Sequence, residues 1–359
     1  MRICYISLGA FTHVGSYIRY FKNAGHDVHF VSLSPAPDWG VPTYNLGLGK
    51  KYSRSEGKWK YPLSMLRARR LVRRLKPDIL HTHYVTSCGL TGLICNFHPH
   101  ITTAHGTDLA LGEKSFVRRT LIRAVFRHAD CVNTVSKDLR KKAIALGTNP
   151  EKILVLTPGI DTDRFAFSKR PAATLQRPLR LVSTRRFEKA FDHGTTIKAL
   201  AIVRSKGFDY HMTFAAGGSL LETVKSQVKA EGLDEWVTFL GGVDREQIVD
   251  LLHNNDVFLS TPLWDGISVA LLEAMSTGLL PIVSDLRVNR DWIRDGIDGF
   301  IHKAGDPESL AECIIKVYDN PEIAAKAAER NRKIVVESAN TIKNMKILEG
   351  IYEDLICKS

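Results

Sequence analysis

Twice along the chain, short apolar runs of strand length alternate with segments of helical periodicity, and a stretch of turn residues separates the two series. The first series comprises residues 2–8, 27–33, 78–84, 100–104, 131–135 and 153–156, with a helix over 15–24. Runs of this kind predict a parallel, doubly wound α/β sheet with helices on both faces. Turn residues at 157–165 and a linker at 168–177 end it, and a second series follows at 180–183, 210–215, 237–240, 257–260 and 280–284. Two domains are expected, 1–165 and 166–340, with a last helix over 341–357 crossing back so that 341–359 completes the first. Sheets of this type bind ligands outside the carboxyl ends of their strands, so two of them are expected to face a central cleft. The 359 residues exceed a single core, consistent with two.

Composition removes several classes. No apolar run approaches the ~20 residues of a membrane-spanning helix. The N-terminal Met-Arg-Ile-Cys-Tyr-Ile-Ser is strand-like and too short for a secretory signal. Cys4, Cys88, Cys95, Cys131, Cys313 and Cys357 lack metal or redox spacing and read as free thiols in a reducing, cytoplasmic compartment. The net charge of +12 is concentrated between Lys50 and Lys76, where lysines and arginines face Glu56 alone. There Ala68, Leu71, Val72 and Leu75 share one helical face, a packing stripe, and the arginines take the other. A cationic face suits anionic lipid headgroups or a phosphorylated acceptor on the inner face of a membrane; an ordinary solvated helix has the same pattern. Nucleic acid is not expected, since aromatic residues do not interleave with the charge.

Residues 264–278, Trp-Asp-Gly-Ile-Ser-Val-Ala-Leu-Leu-Glu-Ala-Met-Ser-Thr-Gly, carry the strongest chemical signal. Asp265 and Gly266 lead into an apolar helix with a single carboxylate, Glu273. A helix start offers unpaired N–H groups and a positive dipole end to an anion. Measured as a helix, Asp265 to Glu273 spans roughly 12 Å, about the reach from a sugar across a diphosphate to a ribose. Two carboxylates flanking an anion seat suit a nucleotide-sugar. An ordinary core helix with one satisfied Glu is the alternative for this stretch alone.

The order and spacing of several further motifs resemble a known family. These are Pro77-Asp-Ile-Leu-His-Thr-His83, Thr103-Ala-His-Gly-Thr-Asp108, Val135-Ser-Lys-Asp-Leu139, Pro158-Gly-Ile-Asp161 with Phe165, Arg185-Arg-Phe, Gly241-Gly-Val, 265–278 and Asp298-Gly-Phe. Together they resemble the retaining glycosyltransferases of family four (the group 1 family). The resemblance covers nearly the whole chain and implies a GT-B fold of two Rossmann-like domains. It implies an acceptor-binding first domain and a second domain binding a nucleotide-diphosphate sugar. The family's paired motif is Glu, seven residues, Glu; here Asp265 replaces the first Glu.

By this resemblance Glu273 grips the ribose hydroxyls of the donor and Asp265 accepts hydrogen bonds from the transferred sugar. Backbone N–H groups of Gly266, Ile267, Ser268 and Val269 cradle the diphosphate. No Asp-x-Asp metal signature lies in a suitable loop, so a metal-independent reaction is expected, with cationic side chains neutralising the leaving group. The family places an Arg and a Lys five apart in the loop after the first strand of the second domain. This chain offers Arg185, Arg186 and Lys189, with Arg186 favoured and Lys189 next. His105 matches the histidine that contacts the transferred sugar, and Asp108 orients its loop or meets the acceptor. Gly9 lies in the loop near donor phosphate and acceptor, where a glycine permits close approach, and His13 is an acceptor-side candidate. Gly242 and Val243 fall beside the nucleotide base, although a turn glycine explains Gly242 equally well. His81 and His83 share a strand face without a third metal ligand nearby and read as cleft-floor or packing residues.

The implied reaction is front-face glycosyl transfer with retention, the enzyme positioning two substrates and stabilising developing charge. The acceptor class favoured is a lipid-linked saccharide or another cell-envelope precursor. A nucleotide-sugar epimerase or hydrolase of the same architecture requires a dedicated acid/base pair, which is not found. A non-catalytic sugar-nucleotide-binding relative is opposed by the intact Asp265/Glu273 pair.

Overall fold

A computed structural model describes residues 1–9, 14–46, 61–106, 108–109, 115–168 and 178–358. The chain divides into two units, Met1–Pro158 with Thr341–Ser359, and Gly159–Asn340. The division assigns the turn residues 159–165 to the second unit, whereas the sequence pattern grouped them with the first.

The first unit holds a seven-stranded parallel sheet. Its strands are β1 (Arg2–Ser7), β2 (Asp27–Ser32), β3 (Thr43–Asn45), β4 (Ile79–His83), β5 (His100–Ala104), β6 (Cys131–Thr134) and β7 (Ile153–Val155), in the order β3-β2-β1-β4-β5-β6-β7. Side chains alternate across β1: Ile3 and Tyr5 join one core, Cys4 and Ile6 the other. The first core is closed by the Val14–Asn23 helix and by the C-terminal Thr341–Lys358 helix, through Met345, Leu348 and Tyr352. The second is closed by Ala68 and Val72 of the Tyr61–Leu75 helix, with Leu71 and Leu75 packed at its margin. The expected apolar stripe of that helix is core, and its arginines lie mostly exposed.

The second unit repeats the plan with six parallel strands. These are β8 (Leu179–Ser183), β9 (Tyr210–Phe214), β10 (Val237–Phe239), β11 (Val257–Ser260), β12 (Leu280–Ser284) and β13 (Phe300–His302), ordered β10-β9-β8-β11-β12-β13. Val257 and Leu259 face one core while Phe258 faces the other, where Leu271, Leu272 and Met275 of the Val269–Thr277 helix pack. In both sheets the order reverses beside the first strand, which opens the crevice where such folds hold ligands. The sequence pattern did not contain β3 and β13. Both are three-residue edge strands, paired on one side only, too short to set a periodicity.

Candidate functional site

In the second unit the functional side chains gather at the entry to the Val269–Thr277 helix. That helix is apolar on every side, hence buried, and ends at Gly278, whose φ of 89° only glycine adopts without strain. Ser268 is its N-cap and accepts a hydrogen bond from the Leu271 N–H at 3.2 Å. The helix therefore begins at Val269, and Asp265, Gly266 and Ile267 belong to the preceding loop. The ruler of an unbroken helix from Asp265 to Glu273 does not apply. The Gly266 N–H donates to Asp265 Oδ1 at 2.8 Å, which folds the carboxylate back onto its own loop.

Arg185 organises this corner. It lies just beyond β8, with its side chain 9% exposed. One guanidinium nitrogen reaches Asp265 Oδ2 at 2.5 Å and the other Ser268 Oγ at 2.8 Å. The guanidinium carbon sits 4.1 Å from the centre of the Phe191 ring, and its buried Nε meets no hydrogen-bond acceptor among the described residues. The neighbouring Arg186 is 74% exposed, with Glu188 at 3.8 Å as its ion-pair partner. Lys189 opens the short Lys189–Phe191 turn and is exposed. Structure thus joins Arg185 to Asp265 and leaves Arg186 and Lys189 on the surface of the same loop.

Glu273 lies little more than one turn into the helix and is 5% exposed. Burial raises its carboxyl to about 7, and the positive charges of Arg245 and Arg185 act against that rise. Arg245 Nη1 stands 3.3 Å from Glu273 Oε1. Sequence reasoning missed Arg245. Its only signal was a place at the start of a helix, Arg245–Asn254, capped by Asp244 directly after Gly241-Gly242-Val243. Gly242 and Val243 line a shallow cavity of about 340 Å³ with Leu240, Gln247, Asp250, Leu251 and Asn254.

In the first unit a second constellation stands at the carboxyl ends of β4 and β5. Asp108 is buried, and its carboxylate accepts from four backbone N–H groups: Val85, His105, Gly106 and Leu109. It ties the loop after β4 to the loop after β5, and both its oxygens are engaged within the protein. Burial raises the Asp108 carboxyl and these hydrogen bonds oppose the shift. Tyr84, at the junction, has φ 75°, a strained value for a bulky residue. Its ring lies 4.7 Å from that of the half-buried His105. His105 Nε2 is 3.1 Å from His83 Nδ1, and the His83 ring stacks on His81 at 4.4 Å. His81 bonds Thr103 Oγ1 at 2.7 Å and the Tyr352 hydroxyl, and burial lowers it to about 3, so it is a neutral packing residue. Gly9 donates to Ser34 Oγ at 2.9 Å, and a Cβ there would lie 2.3 Å from the Pro35 carbonyl oxygen. The close approach that Gly9 permits is therefore to the 35–36 backbone. His13 lies outside the described residues. Among those described, no cluster of three or more metal-ligating side chains occurs, and no helix is long and apolar enough to cross a membrane.

Known proteins carry the same plan. Residues 8–164 match the model described as Glycosyltransferase Family 4, and residues 166–334 that of Glycosyl transferases group 1. The amylovoran biosynthesis glycosyltransferase AmsK of Erwinia amylovora is 27% identical over 60% of this chain, which spans about half (54%) of that protein. The UDP-Gal:alpha-D-GlcNAc-diphosphoundecaprenol alpha-1,3-galactosyltransferase of Escherichia coli is 23% identical over 82% of this chain and 79% of its own length. The crystal structure of Anabaena Alr3699/HepE in complex with UDP and glucose superimposes with a TM-score of 0.80 at 15% identity, covering 98% of this chain and 100% of that one. The two Rossmann-like sheets are those of the GT-B fold, and the chain belongs to the group 1, family 4 glycosyltransferases.

Proposed function

We propose that the protein transfers a glycosyl group from a nucleotide-diphosphate sugar to a lipid-linked saccharide or related cell-envelope precursor, with retention at the anomeric carbon. One observation carries this reading: Arg185 is held between Asp265 and Ser268 at the entrance of the helix that buries Glu273. A guanidinium beside a helix N-terminus is suited to a diphosphate, and a carboxylate to sugar hydroxyls on either side of it. The Escherichia coli relative, named for a UDP-galactose donor and a diphosphoundecaprenol acceptor, and the UDP and glucose bound to the Anabaena protein, support the choice of substrates.

In this reading the second unit, Gly159–Asn340, holds the donor. Glu273 accepts from the ribose hydroxyls and Asp265 from the transferred sugar. Gly266, Ile267, Ser268 and Val269 present backbone N–H groups to the diphosphate, with Arg185 as its counter-charge and Arg186 and Lys189 available from the same loop. Gly242 and Val243 flank the base. The first unit, Met1–Pro158 completed by Thr341–Ser359, holds the acceptor, and His105 meets the transferred sugar. The acceptor oxygen bonds to the anomeric carbon on the face from which the diphosphate departs. The acceptor proton passes to a diphosphate oxygen, and the side chains supply charge and position without a metal requirement.

Thermal unfolding with UDP-, GDP- and ADP-sugars tests the donor, since a ligand that binds only the folded state raises its melting temperature. With the stabilising donor, Glu273→Ala is expected to fold and to lose turnover. Wild-type turnover in that variant would remove Glu273 from the mechanism, and an inverted product anomer would refute retention.

A further inference from the structure

The two histidines of β4, His81 and His83, lie two positions apart and therefore share one face of the sheet. Register sets His83 opposite Thr103 of β5, and His105, two residues further on, returns over the same face. His105 Nε2 then stands 3.1 Å from His83 Nδ1, with the two rings nearly parallel at 5.4 Å. Tyr84 packs on His105 as well, its ring 4.7 Å away and tilted by 30°. The chain turns sharply at the positive φ of Tyr84, and the Gly89 N–H closes that turn by donating to the Tyr84 carbonyl at 2.9 Å. The backbone of His105 is fixed separately, its N–H donating to Asp108 at 3.2 Å. His83 itself is wholly buried, stacked on His81 at 4.4 Å and edge-on to Tyr17 at 4.7 Å. Phenylalanine serves ring contacts of that kind without the cost of burying a polar imidazole. An imidazole kept in such surroundings is explained by its hydrogen bond, and packing alone does not explain it.

We propose that His83 is a positioning residue for His105: its hydrogen bond fixes the plane and the tautomer of the His105 ring and so presents that ring to substrate in a single state. A neutral imidazole has one donor nitrogen and one acceptor nitrogen, so committing Nε2 to His83 decides which nitrogen of His105 carries the proton. Orientation follows, because turning the ring breaks the bond to His83 and drives it against Tyr84. His83 is in turn backed by His81, which is clamped between Thr103 Oγ1 at 2.7 Å and the hydroxyl of Tyr352 on the C-terminal helix. The inference rests on reading His105 as the residue that meets the transferred sugar. A group in that place needs a supported geometry, since a small misplacement near the reacting centre costs rate.

Ring-nitrogen NMR of the full chain tests the bond directly. His105 is expected in one tautomer in the wild type and in a mixture in His83→Phe. His83→Asn should restore one tautomer, because its amide can occupy the place of Nδ1. Turnover is followed as release of nucleoside diphosphate from whichever of UDP-, GDP- and ADP-glucose stabilises the chain. His83→Phe should lower kcat by about tenfold or more while KM for the donor stays within about twofold, and His83→Asn should recover most of the loss. In a His105→Ala background His83→Phe should cost nothing further, since the two residues act as one unit. Mixed tautomers in the wild type, or a His105 spectrum unchanged in His83→Phe, overturn the proposal, as does a full additional loss of kcat in the His105→Ala background. Should His83→Phe fail to fold, the wild-type spectrum and His83→Asn still decide. Wild-type turnover in His105→Ala would instead remove His105 from the proposed reaction, and the spectra would show independently whether His83 holds its ring.

Discussion

Arg185 and Asp265 stand 2.5 Å apart although eighty positions separate them, and Ser268 accepts a second hydrogen bond from the same guanidinium. Both side chains are largely withdrawn from solvent, so each depends on the other to offset its lost hydration. Arg185→Ala is expected to lower stability by about 3 kcal/mol by leaving Asp265 without its counter-charge, and to abolish donor-induced stabilisation. Arg185→Lys retains the charge but cannot span Asp265 and Ser268 together with a planar fork. Calorimetry of both variants with and without the donor separates these effects; full donor response in Arg185→Ala would contradict the assignment.

If Glu273 serves the donor as proposed, stability and activity are expected to respond to pH in opposite directions. Its folded-state carboxyl is raised to about 7, above the ordinary value, so between those values the folded protein binds the extra proton. Stability contributed by this group is present at low pH and lost as pH rises through about 7, a swing of roughly 3 kcal/mol. In the proposed reading Glu273 accepts from two ribose hydroxyls, which the ionised carboxylate does better than the protonated acid, so kcat/KM for the donor is expected to rise over the same window. Glu273→Gln should flatten the stability slope, which urea melts at pH 5 and pH 8 would detect.

Burial places that window, and Arg245 opposes the rise. Its guanidinium favours the ionised form of Glu273 from 3.3 Å. Arg245→Met should move the midpoint of the kcat/KM profile upward while leaving the plateau at high pH comparatively intact. An unmoved midpoint would show that the ion pair does not govern the titration.

Asp108 holds two loops by their backbones, and Asn cannot replace it. An amide offers one acceptor oxygen, and its NH2 group would confront N–H donors. Asp108→Asn should cost about 2 kcal/mol and speed hydrogen exchange at Val85, His105, Gly106 and Leu109. Exchange that remains as slow as in the parent would mean the loops are held by other contacts.

Gly9 distinguishes packing from ligand proximity. Because a Cβ there meets the Pro35 carbonyl oxygen at 2.3 Å, Gly9→Ala should destabilise the first unit by about 1–3 kcal/mol. A variant of unchanged melting temperature that loses activity would instead point to a substrate at this glycine.

The amino-acid sequence by itself determined the two parallel sheets, because apolar runs long enough to be buried on both faces admit few other arrangements. It also determined the apolar helix that carries Glu273, since a lone carboxylate among Leu, Ala and Met stands out without any structure. Which cation serves the carboxylates was decided only by tertiary structure. Arg185 and Arg186 are adjacent in the loop after β8, where Arg185 is buried beside Phe187, which packs into the core, while Arg186 is exposed. The Arg245–Glu273 pair joins residues on different helices, and Asp108 acts through backbone N–H groups that have no side-chain signature. Local pattern depends on the identity of neighbours along the chain; these partnerships depend on which neighbours folding brings together.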